Sequence, residues 1–252
     1  MQISTILFDL GSTLVYSKDP WPPFYEQADR ALVEVLYRSG IRIDPAAFCT
    51  EFGGFIRLYY DNYTQDNFEK TTFSVLHDML FQKGIRNTPE PVLRTALAAM
   101  YAITQQNWVL EDDAISTLEK LKSRGYRLGL ISNTSDDLNV QGIVDRWALR
   151  PFFETILTSA ALGIRKPDAH IFQIALDRFR VQPESAAMVG DTLEADVLGA
   201  NQSGIYSIWI TRRVHLPEEG ELAIQPQAVV TALHQIPDLL AEVENDRAEG
   251  HG

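Results

Sequence analysis

The chain reads as an α/β protein, a doubly wound parallel sheet interrupted by an all-helical module, and three observations predict this. From residue 111 onward, short apolar β-branched runs alternate with helical patterns, which builds parallel strands covered by helices on both faces. A further apolar run, Ile3 to Phe8, stands apart near the start and reads as a strand buried on both sides. Between the two, residues 16–108 show helical periodicity with Pro and Gly punctuation and no convincing strand.

Each element has a local reason. The strand Ile3–Phe8 breaks at Asp9 into a Gly-Ser-Thr turn, and the Pro- and aromatic-rich loop Asp19-Pro20-Trp21-Pro22-Pro23 follows. Helices are expected over Pro23–Ser39, Pro45–Tyr63, Phe68–Lys83 and Pro89–Asn107; Pro opens three of them, and Gly40 and Gly84 lie just past two ends. Then come a helix over Ala114–Arg124, a strand over Arg127–Ile131, a helix near Asp136–Trp147 and a short strand at Thr155–Leu157. A helix over Ala169–Phe179 leads to strands Ala186–Val189 and Tyr206–Ile210, with a helix Glu194–Gln202 between them. A strand-like Ala228–Val230 and a helix Thr231–Val243, interrupted by Pro237, close the pattern, and the tail from Asp246 reads as frayed. The implied division is a core of residues 1–15 and 109–246, a helical module of 16–108 and a disordered tail of 247–252.

Composition bounds the function. A chain of 252 residues with 45% hydrophobic and 22% charged residues can bury roughly 70–75% of its unfolded surface, enough for an enzyme core. A formal charge of −12 argues against nucleic acid or an anionic membrane as partner, yet permits an anionic substrate in a locally positive pocket. The single cysteine, Cys49, excludes an intrachain disulfide or a Cys-based zinc site and reads as a small buried apolar residue of a reducing compartment. With no signal-length apolar run and no 18-residue apolar stretch, the expected location is the cytoplasm. The Asn62-Tyr63-Thr64 sequon then carries no glycosylation.

The chemistry collects where strands end. Asp9 follows the first strand, and ligands of open α/β sheets bind beyond such carboxyl ends. Three further motifs share that placement. Ser132-Asn133-Thr134 follows the strand at Leu128–Ile131; Gly163-Ile164-Arg165-Lys166-Pro167-Asp168 precedes a helix; and Gly190-Asp191 follows Met188-Val189, with Asp196 five residues on. Taken singly, Ser132 and Asn133 can simply start a helix, Lys166 can be a surface lysine and Asp191 a helix cap. His77, His170 and His215 show no metal-ligand spacing, and Glu194 reads as a helix-face charge.

In order, spacing and placement, all four motifs resemble those of the haloacid dehalogenase (HAD) superfamily, with an inserted all-α cap after the first motif and a Rossmann-like core. The members most similar in pattern are capped phosphatases of the phosphoglycolate-phosphatase kind and 2-haloacid dehalogenases. The resemblance implies Asp9 as the nucleophile that forms an aspartyl-phosphate. It implies Mg2+ held by Asp9, the Gly11 carbonyl and Asp191, with Asp196 as further acidic support. Ser132 and Lys166 would bind phosphoryl oxygens, the Asn133 backbone amide would add a donor, and Thr13 would hold the loop. Such cations offset the repulsion between a carboxylate and an anionic phosphomonoester.

One departure from the family pattern matters. Its phosphatases usually carry an aspartate two residues after the nucleophile as general acid and base, and here that position is Gly11, followed by Ser12. Losing such a group costs about 10²–10⁴-fold. Ser12 is too weakly acidic to replace it, and Asp19 or Glu26 would serve only if the cap brings one close. Acyl and aryl phosphates should suffer least, alkyl phosphates most, and the phosphoenzyme should persist or pass its phosphoryl group to another acceptor. Two alternatives stay open: a 2-haloacid dehalogenase, which needs no acid for halide but has little use for magnesium, and a catalytically weak protein that binds a phospho-ligand or a partner. Of the 25 aromatic residues, 16 fall between Tyr16 and Trp108, so the loop Tyr16–Phe24 and the cap are expected to set specificity, and a homodimer is a reasonable expectation.

Overall fold

The computed structural model describes residues 2–61, 67–214 and 223–249. In chain order the elements are β1 (Thr5–Phe8), β2 (Val15–Ser17), α1 (Pro22–Arg38), α2 (Pro45–Asp61), α3 (Thr72–Gln82), α4 (Glu90–Thr104) and β3 (Trp108–Leu110). They continue with α5 (Ala114–Ser123), β4 (Arg127–Ser132), α6 (Asp137–Arg146), β5 (Thr155–Thr158), α7 (Ser159–Leu162), α8 (Ala169–Phe179) and β6 (Ala186–Gly190). The last are α9 (Leu198–Gln202), β7 (Tyr206–Ile210), β8 (Ala228–Val230) and α10 (Ile236–Glu249).

Six strands form one parallel sheet in the order β5-β4-β1-β6-β7-β8. The period-2 alternation of β1 explains its two packed faces: Ile6 and Phe8 join a cluster with Leu118, Val144 and Leu240, whereas Leu7 joins Ile131, Phe172 and Met188 on the opposite side. A third cluster, with Leu32, Leu36, Phe48, Leu76 and Leu97 among its members, lies wholly within α1–α4. The core is thus the doubly wound α/β sheet that the alternation predicts. Among the described residues no helix is long and apolar enough to cross a membrane.

Several expectations need correction. The segment read as purely helical begins and ends in strand, because Val15–Ser17 and Trp108–Leu110 pair antiparallel, with Ser17 opposite Trp108. Three-residue strands are too short to show an alternation. Asn107 reinforces this junction: its side chain accepts from Asp19 N–H at 2.8 Å and donates to Asp19 O at 2.9 Å. The helix expected from Phe68 starts only at Thr72, because Thr71 caps it by accepting from Ser74 N–H at 3.1 Å. The helix expected over Glu194–Gln202 opens as a π-helical turn, Leu193–Val197, before α9. Pro237 starts a helix instead of interrupting one: Gln235 gathers the N–H groups of Thr231 and Ala232, and α10 begins at Ile236 with Pro in its first turn, where a missing N–H costs nothing. That helix runs past Asp246 to Glu249, since its earlier turns are already anchored by buried Leu240 and by Glu244 accepting from Tyr126. Tyr63, His215 and residues 250–252, to which some of the expectations apply, lie outside the described residues.

Candidate active site

The chain passes from β1 to β4 on one side and then crosses from β5 to β6 on the other, so the tips of β4, β1 and β6 flank a topological switch point, where open α/β sheets bind ligands. Ser132 ends β4, Asp9 follows β1, and Asp191 follows β6, all at the same end. Lys166 reaches the same place from the loop before α8. Its side chain is 1% exposed, and the ammonium donates to Asp9 Oδ1 at 2.7 Å, Asp196 Oδ1 at 2.6 Å and Ile131 O at 2.8 Å. All three of its donors are therefore used.

The loop carrying Lys166 is held from two directions. Asn133 donates from Nδ2 to Lys166 O and accepts at Oδ1 from Lys166 N–H, both at 2.9 Å. Its side chain is therefore committed to placing the lysine. From the helical module, Asn67 O accepts from Arg165 N–H and Glu69 N–H donates to Gly163 O, each at 3.0 Å, while buried Glu69 accepts from Ser159 Oγ at 2.7 Å. Thr72 reaches Ser135 through both backbone and hydroxyl. Sequence reasoning missed Glu69, Ser159 and Thr72, because contacts between two loops distant in sequence leave no periodic signal.

Asp9, Asp191 and Asp196 bring carboxylate oxygens within 4.8 Å of one another. Asp196 gets there from the π-helical turn, which swings its carboxylate back over β6, where Oδ2 accepts from Thr192 N–H at 3.0 Å. This return needs a glycine at the strand end. A Cβ on Gly190 would overlap the Asp196 carboxyl group. Gly190→Ala is therefore expected to displace Asp196 and cost about 1–3 kcal/mol, as overpacking does. Chemical denaturation with and without Mg2+ checks it, the variant losing most of any magnesium-induced stabilisation.

The cluster carries three carboxylates against one ammonium, and its electrostatics reflect the excess. Burial, above the opposing pull of Lys166, pushes Asp9 up to about 6, with Asp196 adding repulsion. Burial and then the charges of Asp9 and Asp196 push Asp191 up to about 7. For Lys166 burial favours deprotonation, but Asp196 and Asp9 outweigh it and hold the proton more tightly than on an ordinary lysine. Hard oxygen donors with surplus negative charge are a donor set suited to Mg2+.

The other predicted positions fall around this centre. Ser132 is 5% exposed and its hydroxyl meets no hydrogen-bond partner among the described residues. Gly11 and Ser12 form the turn after Asp9, with Ser12 in the left-handed region at φ 55°. The turn is closed by backbone bonds from Leu14 and Val15 N–H to Leu10 O; the Thr13 hydroxyl, buried and without a partner, does not hold it. Against Gly11 lies Trp108, whose ring would be 3.5 Å from a Cβ at that position. Glu194 is exposed, as read, and His77 and His170 stand on the surface beside Asp78 and Asp168.

Comparison with known proteins agrees with this arrangement. A family model for haloacid dehalogenase-like hydrolases matches residues 3–204. A glyceraldehyde 3-phosphate phosphatase of Pyrococcus furiosus is 29% identical over 252 residues, spanning 99% of this chain and 98% of the relative. One of Methanopyrus kandleri is 28% identical over 213 residues, spanning 83% and 84%. The crystal structure of a 2-haloacid dehalogenase from Pseudomonas syringae pv. Tomato DC3000 superposes with a TM-score of 0.69 at 25% identity, covering 96% of this chain and 100% of that one. With the parallel sheet, the carboxylates at its switch point and the buried lysine beside them, the chain belongs to the haloacid dehalogenase-like hydrolases.

Proposed function

We propose that this hydrolase removes phosphate from a small phosphorylated metabolite, with magnesium and through an aspartyl-phosphate on Asp9. The observation that carries this reading is the convergence of Asp9, Asp191 and Asp196 around one point with Lys166 bonded into it. The relatives named as phosphatases support the same class of substrate.

Asp9, Asp191 and the Gly11 carbonyl would hold the metal, which when bound lowers the repulsion between the anionic substrate and its attacker. A carboxylate oxygen of Asp9 attacks phosphorus, the bond to the leaving oxygen breaks, and that oxygen departs with the electron pair. Lys166, kept in place by Asp196 and the Ile131 carbonyl, offsets charge on the transferring oxygens, and Ser132 supplies a hydroxyl donor not otherwise engaged. The Asn133 backbone amide is a further donor there. Water then attacks phosphorus, releases phosphate and restores Asp9. We further place the protein in the cytoplasm, in keeping with a single cysteine that is partly shielded.

Phosphate release from acetyl phosphate and p-nitrophenyl phosphate with and without Mg2+ tests the reading; loss in EDTA and recovery on adding magnesium are expected. Thermal unfolding adds an independent measure. Asp9 and Asp191 hold protons more tightly folded than unfolded, so ionised they weaken the apoprotein, and the penalty eases as pH falls through about 7 and then about 6. Magnesium must displace those protons at low pH. At a hundredfold excess over its Kd it should raise Tm by about 5–10 °C at pH 8 and by much less at pH 5.5. An equal shift at both pH values would contradict binding through these carboxylates.

Gly11 and the likeness to a 2-haloacid dehalogenase favour a second reading, displacement of halide from carbon by Asp9. Halide release from a 2-haloacid that survives EDTA would establish it.

A further inference from the structure

A cavity of about 460 Å³ lies between the helical module and the loop that follows Ser132. Its floor includes Ser135 and Asn139 of the core, and its walls come from α1, α2, α4 and the β3 start. Trp108 lines it and also abuts Gly11, so the cavity begins where a family phosphatase would carry its acid. Trp21 meets Trp108 edge-on at 5.3 Å between ring centroids and stacks on Tyr25 at 5.4 Å, with planes 9° apart. Buried Phe52 and Met100 add apolar surface to the lining. Among the described residues no lysine or arginine lines the cavity, and the carboxylate that does is Asp29.

Two independent features therefore select the same kind of group. The described lining offers flat aromatic surface and no cation, which suits a planar, uncharged group and disfavours a second phosphate or a carboxylate. The missing acid at Gly11 favours a leaving oxygen that is stable without a proton, as a phenolic oxygen is and a sugar hydroxyl is not. Resting on the phosphohydrolase reading above, we infer that the preferred substrate is a monophosphate ester of an aromatic hydroxyl compound, its ring seated against Trp108 and Trp21 and bearing no second anionic group. In the reaction the bond from phosphorus to the phenolic oxygen breaks, the phenolate leaves with the electron pair and takes its proton from water, and phosphorus passes to Asp9.

Four substrates separate the two features: phenyl phosphate has the ring and the good leaving group, benzyl phosphate only the ring, acetyl phosphate only the leaving group, and glyceraldehyde 3-phosphate neither. KM should be low for both ring compounds, and kcat high for phenyl and acetyl phosphate. Trp108→Ala should raise KM for the ring compounds by roughly two- to tenfold more than for acetyl phosphate, as the loss of an aromatic contact does. Trp108→Phe should largely restore it, which a merely unfolded junction would not allow. Binding is read without turnover by titrating phenyl phosphate into Asp9→Asn and following tryptophan fluorescence; quenching that weakens in Trp21→Leu is expected. A lower KM for glyceraldehyde 3-phosphate than for phenyl phosphate, or tryptophan variants that change all four substrates alike, overturns the inference and leaves the phosphohydrolase reading standing. Absence of Asp9-dependent release from every one of the four overturns that reading instead.

Discussion

Asp9→Asn should lower magnesium-dependent phosphate release by at least about 10⁴-fold, the scale on which a covalent nucleophile is missed. An amide matches the carboxylate in shape but does not form the acyl phosphate, so no phosphorylated protein should be trapped on acid quenching and intact-mass measurement. The substitution is also informative about folding. Asp9 in the wild type is held above the usual carboxylate range by burial, and Lys166 keeps Asp196 as a partner when the charge at residue 9 is removed. The apoprotein variant is therefore expected to unfold at the same temperature as wild type or a higher one at pH 8, where the lost charge was a liability. Activity and stability should thus move apart. A variant that loses activity only because it melts early would leave the role of Asp9 open, and one that retains turnover would remove the aspartyl-phosphate from the mechanism.

The separation between what the sequence displays and what it hides has a physical origin. Strand β1 and its acidic tip are legible because a parallel strand buried on both faces must be continuously apolar, so Asp9 stands out where the apolar run breaks. The Gly190-Asp191 step and Asp196 are legible for a related reason: only glycine lets the Asp196 carboxylate pack over the strand end, and the pattern records that fit. The π-helical turn that delivers Asp196 is not, because one extra residue in a turn leaves the helical composition unchanged. Nor is the commitment of Asn133 to the Lys166 backbone, since the same motif is compatible with a donor aimed at substrate. Phe68 illustrates a different loss. Its apolar side chain extends the helical pattern of α3 on paper, yet it pairs by a backbone bridge with Ile164 and is 71% exposed. Trp108 reads as one aromatic among many until folding sets it against Gly11, 97 positions earlier in the chain, where it shapes the site.

Gly11→Asp is expected to raise turnover of an alkyl phosphate such as glyceraldehyde 3-phosphate by about 10²–10⁴-fold, by supplying the missing proton donor and acceptor. The position admits the side chain. Its backbone is not in the left-handed region, and a Cβ there would sit at ordinary van der Waals distance from Trp108, 3.5 Å away. The added carboxyl would join a neighbourhood where burial and mutual repulsion already hold Asp9 and Asp191 above their usual range. That same environment favours a proton on the newcomer near neutral pH, the state in which it protonates a leaving alkoxide. Phenyl phosphate should gain far less, because phenolate needs little help, so the ratio of alkyl to aryl turnover is the sensitive quantity. The second step should change too: a base beside the attacking water shortens the life of the aspartyl-phosphate, and the fraction of phosphorylated protein at steady state should fall. Above neutral pH, where the newcomer ionises, its negative charge is the opposing effect, and it should appear there as a lower apoprotein Tm that magnesium restores. If a folded, magnesium-binding Gly11→Asp protein showed no gain on the alkyl ester, the limit on turnover would lie elsewhere, in substrate placement by the Trp21 and Trp108 wall instead of in proton transfer.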